Sequence, residues 1–305
     1  MAFDAFALML AMLALGMLFA RLRALPDNAA DTLNLLVLYV CLPAAILVNA
    51  PRLRLEPSLL GLVLLPWLLA GLAWALAWGL SRRLGLRRDE FAVLALCTML
   101  GNTSFIGYPM VAALLGDGAL PFAVVYDQFG TFVLLSTVGL VLLARYGGDA
   151  RPSGREIALR IAKFPPVWAL VLGLTLMPEH PPAWIAAALE RLSGVMLMLV
   201  MLAVGLTIRL RLPRDEIAPL AAGLGMKLVL LPLAALPLAW LFGMRGAMLQ
   251  AAVLESAMPT MITAAALAIS HGLAPRLAAA LVGYGIVLSL ATLPAWTFVL
   301  QRFFG

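Results

Sequence analysis

Four side chains that can carry charge or bind an ion lie inside long apolar runs of this sequence. Asp127 and Gln128 are adjacent in VVYDQFGTF, Glu255 lies in AAVLESAMPT, and Lys227 follows APLAAGLGM. Ionisable groups are costly at membrane depth and by default mark functional sites. A carboxylate there can hold Na⁺ through its oxygens or carry a proton, so these four residues form a predicted ion-coupling set, with Na⁺ possible at Glu255. Two simpler placements stay open: Lys227 snorkelling to a nearby membrane surface, and Glu255 lying close to the outer interface.

Two apolar runs also contain a proline among small and hydroxyl residues, Pro109 in GNTSFIGYP and Pro259 in ESAMPT. Proline removes a backbone donor and clashes with the preceding turn, so both runs are expected to break there. Broken helices at membrane depth are tolerated only where protein or water satisfies the backbone, and their N-termini suit a carboxylate. A simple proline kink is the alternative. The predicted substrate-binding residues are Asn102, Thr103, Ser104, Tyr108, Pro109, Ser256, Pro259, Thr260 and Thr263.

Composition shows which kind of protein must position these residues. Of 305 residues 64% are hydrophobic and only 12% charged, with a mean hydropathy of +1.04. Soluble domains carry roughly 45–50% apolar and about 25% charged residues. The chain is therefore predicted to be an all-α integral membrane protein. Its basic residues lie in short loops, which is typical of membrane orientation and not of nucleic-acid binding.

Ten apolar segments are long enough to span a bilayer, which takes about 17–25 residues. They cover residues 2–20, 33–50, 58–80, 91–115, 120–144, 160–177, 187–208, 216–241, 246–269 and 276–300. Of the 21 Lys and Arg residues, 15 fall in the loops of one side and five in those of the other. The positive-inside rule then places both termini on the periplasmic side of the cell inner membrane.

The two halves of the chain resemble each other. LVLLP occurs at Leu62–Pro66 in the third span and at Leu228–Pro232 in the eighth, and the fourth and ninth spans both carry the presumed breaks. Five spans per half make the second half inverted, and inverted repeats with interrupted helices are typical of secondary transporters. We expect a first repeat over 1–145, a cytoplasmic linker over 146–159 and a second repeat over 160–305.

An enzyme is not expected. The two histidines, His180 and His271, lie at span ends, and the sequence has no HExxH and no Walker motif. In the second span, Asn34 and Asn49 are expected to be end-of-helix residues and not ligands.

Four strings together resemble the auxin efflux carrier family, which includes bacterial carriers of organic acids. They are LGNTSFIGYPMVAALLGDGAL, VVYDQFGTFVLLSTVG, MKLVLLPLAAL and AMPTMITAAALA, and they occur in the family's order over essentially the whole chain. The resemblance implies two inverted five-helix repeats whose fourth and ninth helices cross. It also implies an elevator-type division into a scaffold from spans 1, 2, 6 and 7 and a transport domain from spans 3–5 and 8–10.

The resemblance assigns individual residues as well. Asn102 matches the family's crossover asparagine, Pro109 and Pro259 the crossover region, and Asp127 the acidic residue of span five. Thr263 stands where the family often has asparagine, and Glu255 with Ser256 where it commonly has a small or amide residue. Related bile-acid symporters bind Na⁺ with acidic and amide groups around this crossover, so the coupling ion stays open between H⁺ and Na⁺.

The predicted function is secondary, ion-coupled transport of a small organic anion, such as a mono- or dicarboxylate. The expected partners are that anion, membrane lipid and a possible second copy bound through the scaffold, with no cofactor beyond the coupling ion. The alternatives are a sodium-coupled bile-acid-like symporter, an uncoupled channel or sensor, and an intramembrane enzyme. Substrate identity and direction of transport stay open.

Overall fold

The computed structural model describes residues 2–52, 58–147, 153–207 and 216–304. These residues form helices and no strand; their one β-type contact is an isolated antiparallel bridge between Gly101 and Thr260. Part of the predicted linker, residues 148–152, lies outside the described residues. So do five of the arginines counted for the membrane orientation: Arg54, Arg151, Arg209, Arg211 and Arg214.

The helices follow one another along the chain with short connections. In the first half they are α1 Ala2–Leu22, α2 Ala29–Leu36, α3 Leu42–Asn49, α4 Ser58–Leu84, α5 Arg88–Met99, α6 Tyr108–Leu115, α7 Leu120–Tyr126, α8 Phe132–Leu134 and α9 Leu140–Gly147. In the second half they are α10 Gly154–Ala162, α11 Pro165–Thr175, α12 Ala183–Gly194, α13 Met196–Thr207, α14 Ile217–Gly225, α15 Leu231–Leu241, α16 Gly246–Ser256, α17 Ile262–Ser270 and α18 Pro275–Phe304.

Several of these helical stretches are suited to a bilayer. Six stretches in the described part of the chain are long and apolar enough to cross it: Ala29–Asn49, Leu59–Leu84, Asp117–Gly147, Ala183–Thr207, Ile217–Leu241 and Pro275–Phe304. Shorter apolar helices cover Leu10–Leu22, Thr103–Leu115 and Pro165–Thr175. The prediction of an all-α integral membrane protein is confirmed. Helical residues occupy all ten predicted ranges, while ten crossings arranged as an inverted repeat stay a prediction.

Three helical stretches widen into a five-residue π turn that ends two residues before a proline. The turns are Val37–Cys41, Thr103–Gly107 and Met226–Leu230, and the prolines are Pro43, Pro109 and Pro232. Proline cannot donate to the carbonyl four residues earlier, so the chain shifts to wider i→i+5 pairing. At Pro232 the carbonyl freed in this way belongs to Leu228, and it accepts the Trp296 indole N–H at 2.9 Å. A side chain from α18 thus satisfies a backbone group that proline leaves unpaired.

The chain divides into two compact units. The first comprises Met1–Leu55, Ser104–Val124 and Ala162–Ile208. Within it α1 packs along α13, and the close approach rests on two glycines: a Cβ on Gly16 would lie 2.8 Å from the Gly205 Cα. Small residues let membrane helices pack closely, and here they bring the two backbones into contact.

The second unit comprises Glu56–Thr103, Val125–Ile161 and Arg209–Gly305. Its core is built mainly on α5, which is buried along most of its length and contacts α4, α9, α14, α17 and α18. The Trp67 indole N–H of α4 donates to the Phe129 carbonyl at 3.2 Å, and Gly130 leaves room for Pro66 on the same helix. These contacts fix the stretch around Asp127 against α4.

Candidate functional site

Two broken helices meet inside the second unit. After α5, Leu100 adopts an extended conformation, and Gly101 pairs antiparallel with Thr260 in the gap between α16 and α17. The Asn102 N–H donates to the Pro259 carbonyl at 2.8 Å, and the Met261 N–H donates to the Leu100 carbonyl at 3.0 Å. Each break therefore supplies the backbone partners that the other needs at membrane depth. We call residues 100–102 and 257–261 the crossing.

The crossing lies at Pro259, as predicted, but not at Pro109. Pro109 is the second residue of α6, seven positions beyond Asn102, within continuous helix that starts at Thr103. Pro109 cannot donate to the Phe105 carbonyl four residues earlier, and the wider pairing of the Thr103–Gly107 π turn accommodates it within the helix. The expectation of a break at Pro109 was therefore wrong. Gly101 interrupts the helix instead, and its missing side chain leaves room for Lys227, whose Nζ would lie 3.0 Å from a Cβ on Gly101.

Asn102 carries an unsatisfied amide at the crossing. Its side chain is 1% exposed, and neither its amide oxygen nor its amide nitrogen has a hydrogen-bond partner among the described residues. Most buried polar atoms are paired, so an exception requires an explanation such as a missing ligand. The amide offers two donors and an acceptor, which suit a carboxylate or a hydroxyl group.

Asp127 is buried and held by two donors. The Thr103 hydroxyl donates to one carboxylate oxygen at 2.5 Å, and the Gln128 amide donates to the other at 2.9 Å. Three residues predicted from sequence are thus brought together. Two donors on opposite oxygens fix the orientation of this carboxylate.

Glu255 has a different environment in the last turn of α16. It is fully buried, and neither carboxylate oxygen has a hydrogen-bond partner in the described part of the chain. Asp127 and Lys227 both lie within electrostatic range of its carboxylate. Protein atoms enclose the Glu255 side chain completely, while its depth in the bilayer stays a prediction.

Lys227 lies at the crossing and does not snorkel. It is 5% exposed, and its ammonium donates to the Ser256 carbonyl at 3.2 Å. The Ser256 hydroxyl donates at 2.6 Å to the Val253 carbonyl of its own helix. Lys227 supplies positive charge where two carboxylates are buried.

The oxygen ligands that the predicted Na⁺ would need can be compared with the groups around Glu255. Glu255 offers two oxygens, and hard cations prefer several oxygen ligands. The neighbouring Ser256 carbonyl is already used by the Lys227 ammonium, and the described residues hold no group of three His, Cys, Asp or Glu able to bind a metal. Sodium binding at Glu255 stays a prediction.

The remaining predicted substrate-binding residues lie in three different parts of the structure. Thr260 is buried, and its hydroxyl donates to the Cys97 carbonyl at 3.0 Å, which ties the second break to α5. Thr263 is exposed on α17 and is not part of the crossing. Ser104, Tyr108 and Pro109 belong to the first unit.

Tyr108 and Pro109 line a cavity of about 420 Å³ within the first unit. Its polar lining also includes Asn49, Asp117 and Glu190. The Asn49 amide N–H donates to the Ala45 carbonyl at 2.8 Å, while its buried amide oxygen has no partner in the described ranges. Asn49 is the last residue of α3, as the sequence analysis predicted, and it also lines this cavity.

Comparison with known proteins covers nearly the whole chain. A family model described as membrane transport protein matches residues 1–297. An uncharacterized transporter of Methanothermobacter thermautotrophicus is 32% identical over 295 residues, which cover 95% of this chain and 96% of the relative. One from Methanocaldococcus jannaschii is 25% identical over 90% of this chain and 91% of its own length. The transporter YfdV of Escherichia coli strain K12 is 26% identical over 93% of each chain.

Proposed function

This chain belongs to the membrane transport protein family, the auxin efflux carriers that its motifs resemble, and we propose that it is a secondary active transporter of a small organic anion. The observation that carries the proposal is the unsatisfied Asn102 amide at the crossing. A carboxylate that accepts its N–H donors would satisfy a group that otherwise costs about 1–3 kcal/mol to bury unpaired. The cargo class is therefore a mono- or dicarboxylate of small size.

The coupling ion that the charges favour is a proton carried by Glu255. Glu255, Asp127 and Lys227 are all buried, and when all three are ionised they leave one uncompensated negative charge. Burying such a charge is expensive, and one proton removes it. Asp127 has donors on both oxygens that hold it as a carboxylate, whereas Glu255 has none among the residues that the structure describes, so the proton is assigned to Glu255. Sodium coupling is the alternative, with Na⁺ on the same carboxylate.

The division into two units supports an elevator mechanism. Spans 1, 2, 6 and 7, the proposed scaffold, fall in the first unit, and the crossing with spans 3, 8, 9 and 10 falls in the second. Residues 104–124 depart from the proposed division, since they belong to the first unit. Ten crossings of the cell inner membrane with both termini in the periplasm, and a homodimer through the scaffold, complete the proposal.

Transport in proteoliposomes tests the substrate site. Wild type is loaded with each of a series of mono- and dicarboxylates, and uptake and counterflow of the labelled acid are measured. Hydrogen bonds to charged groups contribute about 1.5–3 kcal/mol, so Asn102→Ala is expected to lower the apparent affinity for the accepted acid by about 10- to 100-fold. Asn28→Ala is the matched control, because Asn28 is exposed and its side chain caps no helix.

Counterflow also separates the competing functions. A channel or sensor gives no counterflow and no accumulation against a gradient. The absence of counterflow, or the absence of accumulation, would therefore contradict the carrier proposal. Normal kinetics of Asn102→Ala with every accepted acid would show that the cargo binds elsewhere.

A further inference from the structure

A groove of about 650 Å³ lies on the second unit between α4 and α14 with the π turn that follows it. Its walls are apolar along their whole length, formed by residues such as Leu80, Val229 and Leu230. Among the described residues, Arg83 is the one charged side chain that lines it. The groove is independent of the crossing residues used above, because none of them lines it.

Two glycines leave open space at the groove. Gly79 of α4 and Gly225 of α14 both line it, and a Cβ added to either would meet no atom within 4 Å. Both glycines lie in helical stretches that are long and apolar enough to cross a bilayer, Leu59–Leu84 and Ile217–Leu241. Water finds few polar partners in such a space, so an acyl chain suits it better than water does.

Arg83 gives the groove a polar end. It lies in the last turn of α4, is exposed, and forms no hydrogen bond or ion pair with any described residue. The adjacent Arg82 differs, since its guanidinium stacks on the Trp78 ring at 4.6 Å. Guanidinium groups bind phosphate with paired N–H donors, and basic groups at the ends of membrane helices attract anionic headgroups.

We propose that this groove is a binding site for one anionic phospholipid, whose acyl chain lies between Gly79 and Gly225 and whose phosphate binds Arg83. The apolar stretch from Ala75 to Arg83 spans about 12 Å of helix, which is enough for several methylene groups. The free guanidinium selects an anionic headgroup over a zwitterionic one. Met226, at the groove wall, directly precedes Lys227, so the lipid lies against the turn that carries the crossing's cation.

The test is a lipid titration of the purified full-length protein in detergent. Thermal stability and native mass spectra are recorded with phosphatidylglycerol and, separately, with phosphatidylcholine. A ligand that binds only the folded state raises the unfolding temperature, so wild type is expected to be stabilised more by phosphatidylglycerol. Arg83→Gln is expected to weaken phosphatidylglycerol binding about fivefold, the effect of one basic group near a lipid surface. Arg82→Gln is the matched control and should bind as wild type does.

Filling the groove is the second arm. Gly79→Leu and Gly225→Leu add a side chain into open space and favour helix formation, so both variants should fold. They are expected to lose the bound lipid in native spectra, whereas Gly71→Leu, also open but outside the groove, keeps it. Equal stabilisation by both lipids, equal loss in Arg82→Gln and Arg83→Gln, or retention of lipid in the filled variants would overturn the proposal. A change from dimer to monomer on filling would assign the groove to a second copy and would also overturn it.

Discussion

The two breaks at the crossing have similar backbones and different carboxylates. Both contribute extended residues that pair with each other, yet the carboxylate near the first break, Asp127, has a donor on each oxygen, and the one near the second, Glu255, has none. A carboxylate held by two donors is stabilised in its charged form. An unpaired buried carboxylate is costly when charged, so a change of protonation is cheap there. In the proposed mechanism, Asp127 therefore organises the crossing and Glu255 is the group whose protonation changes.

Among the variants that test this difference, Glu255→Gln is expected to have the largest effect on transport. The amide keeps the size of the side chain and removes the exchangeable proton, so accumulation driven by an imposed pH gradient should fall to the level of empty liposomes. Counterflow, which needs no net driving force, should stay within about threefold of wild type, since the energy of cargo binding is unchanged. Both are measured in the same proteoliposomes.

Asp127→Asn is the counterpart of this variant. The asparagine amide has one acceptor oxygen where the carboxylate has two, so it can accept from only one of Thr103 and Gln128. The free energy of unfolding should therefore fall, while pH-driven accumulation persists. If Asp127→Asn abolishes the coupling and Glu255→Gln keeps it, the two roles are reversed. If imposed Na⁺ gradients drive uptake and pH gradients do not, Glu255 binds sodium.

Thr103→Val tests whether the donors hold Asp127. The variant keeps the shape of the side chain and removes the donor to a buried carboxylate, with an expected cost of about 1.5–3 kcal/mol of stability. For a chain of this size that amounts to roughly 3–10 °C in unfolding temperature. Thr137→Val is the control, because the Thr137 hydroxyl donates to the Val133 carbonyl of its own helix. Equal shifts in the two variants would mean that the Thr103–Asp127 contact contributes nothing special.

Sequence alone predicted much of the fold and part of the site. Apolar length located the helices, and the cost of burying charge singled out Asp127, Glu255 and Lys227. The sequence analysis placed the first break at Pro109, because a pattern does not show that a π turn can accommodate a proline within a helix. Gly101 is the residue that breaks this helix, and its neighbour Lys227 is distant in sequence.

Contacts between distant segments were beyond the sequence for the same reason. The Leu228 carbonyl freed by Pro232 is satisfied by Trp296, and the Phe129 carbonyl is bound by Trp67. In the first half the donor lies on the third span and the acceptor on the fifth, while in the second half the donor lies on the tenth and the acceptor on the eighth. In both halves the bond joins the third and fifth spans of that half, but the donor and acceptor spans are exchanged. No short sequence motif reveals such a contact.

The smallest expected effect separates two threonines around the second break. Thr260→Val removes the bond to the Cys97 carbonyl, so stability should fall by about 0.5–1.5 kcal/mol. Thr263→Val changes an exposed side chain and should stay within about 0.5 kcal/mol of wild type, with unchanged transport. Unfolding temperature and uptake are measured on both variants. Since the sequence assigned Thr263 to the cargo, a Thr263→Val variant of normal stability and impaired uptake would restore that assignment and would extend the site from the buried crossing to the exposed face of α17.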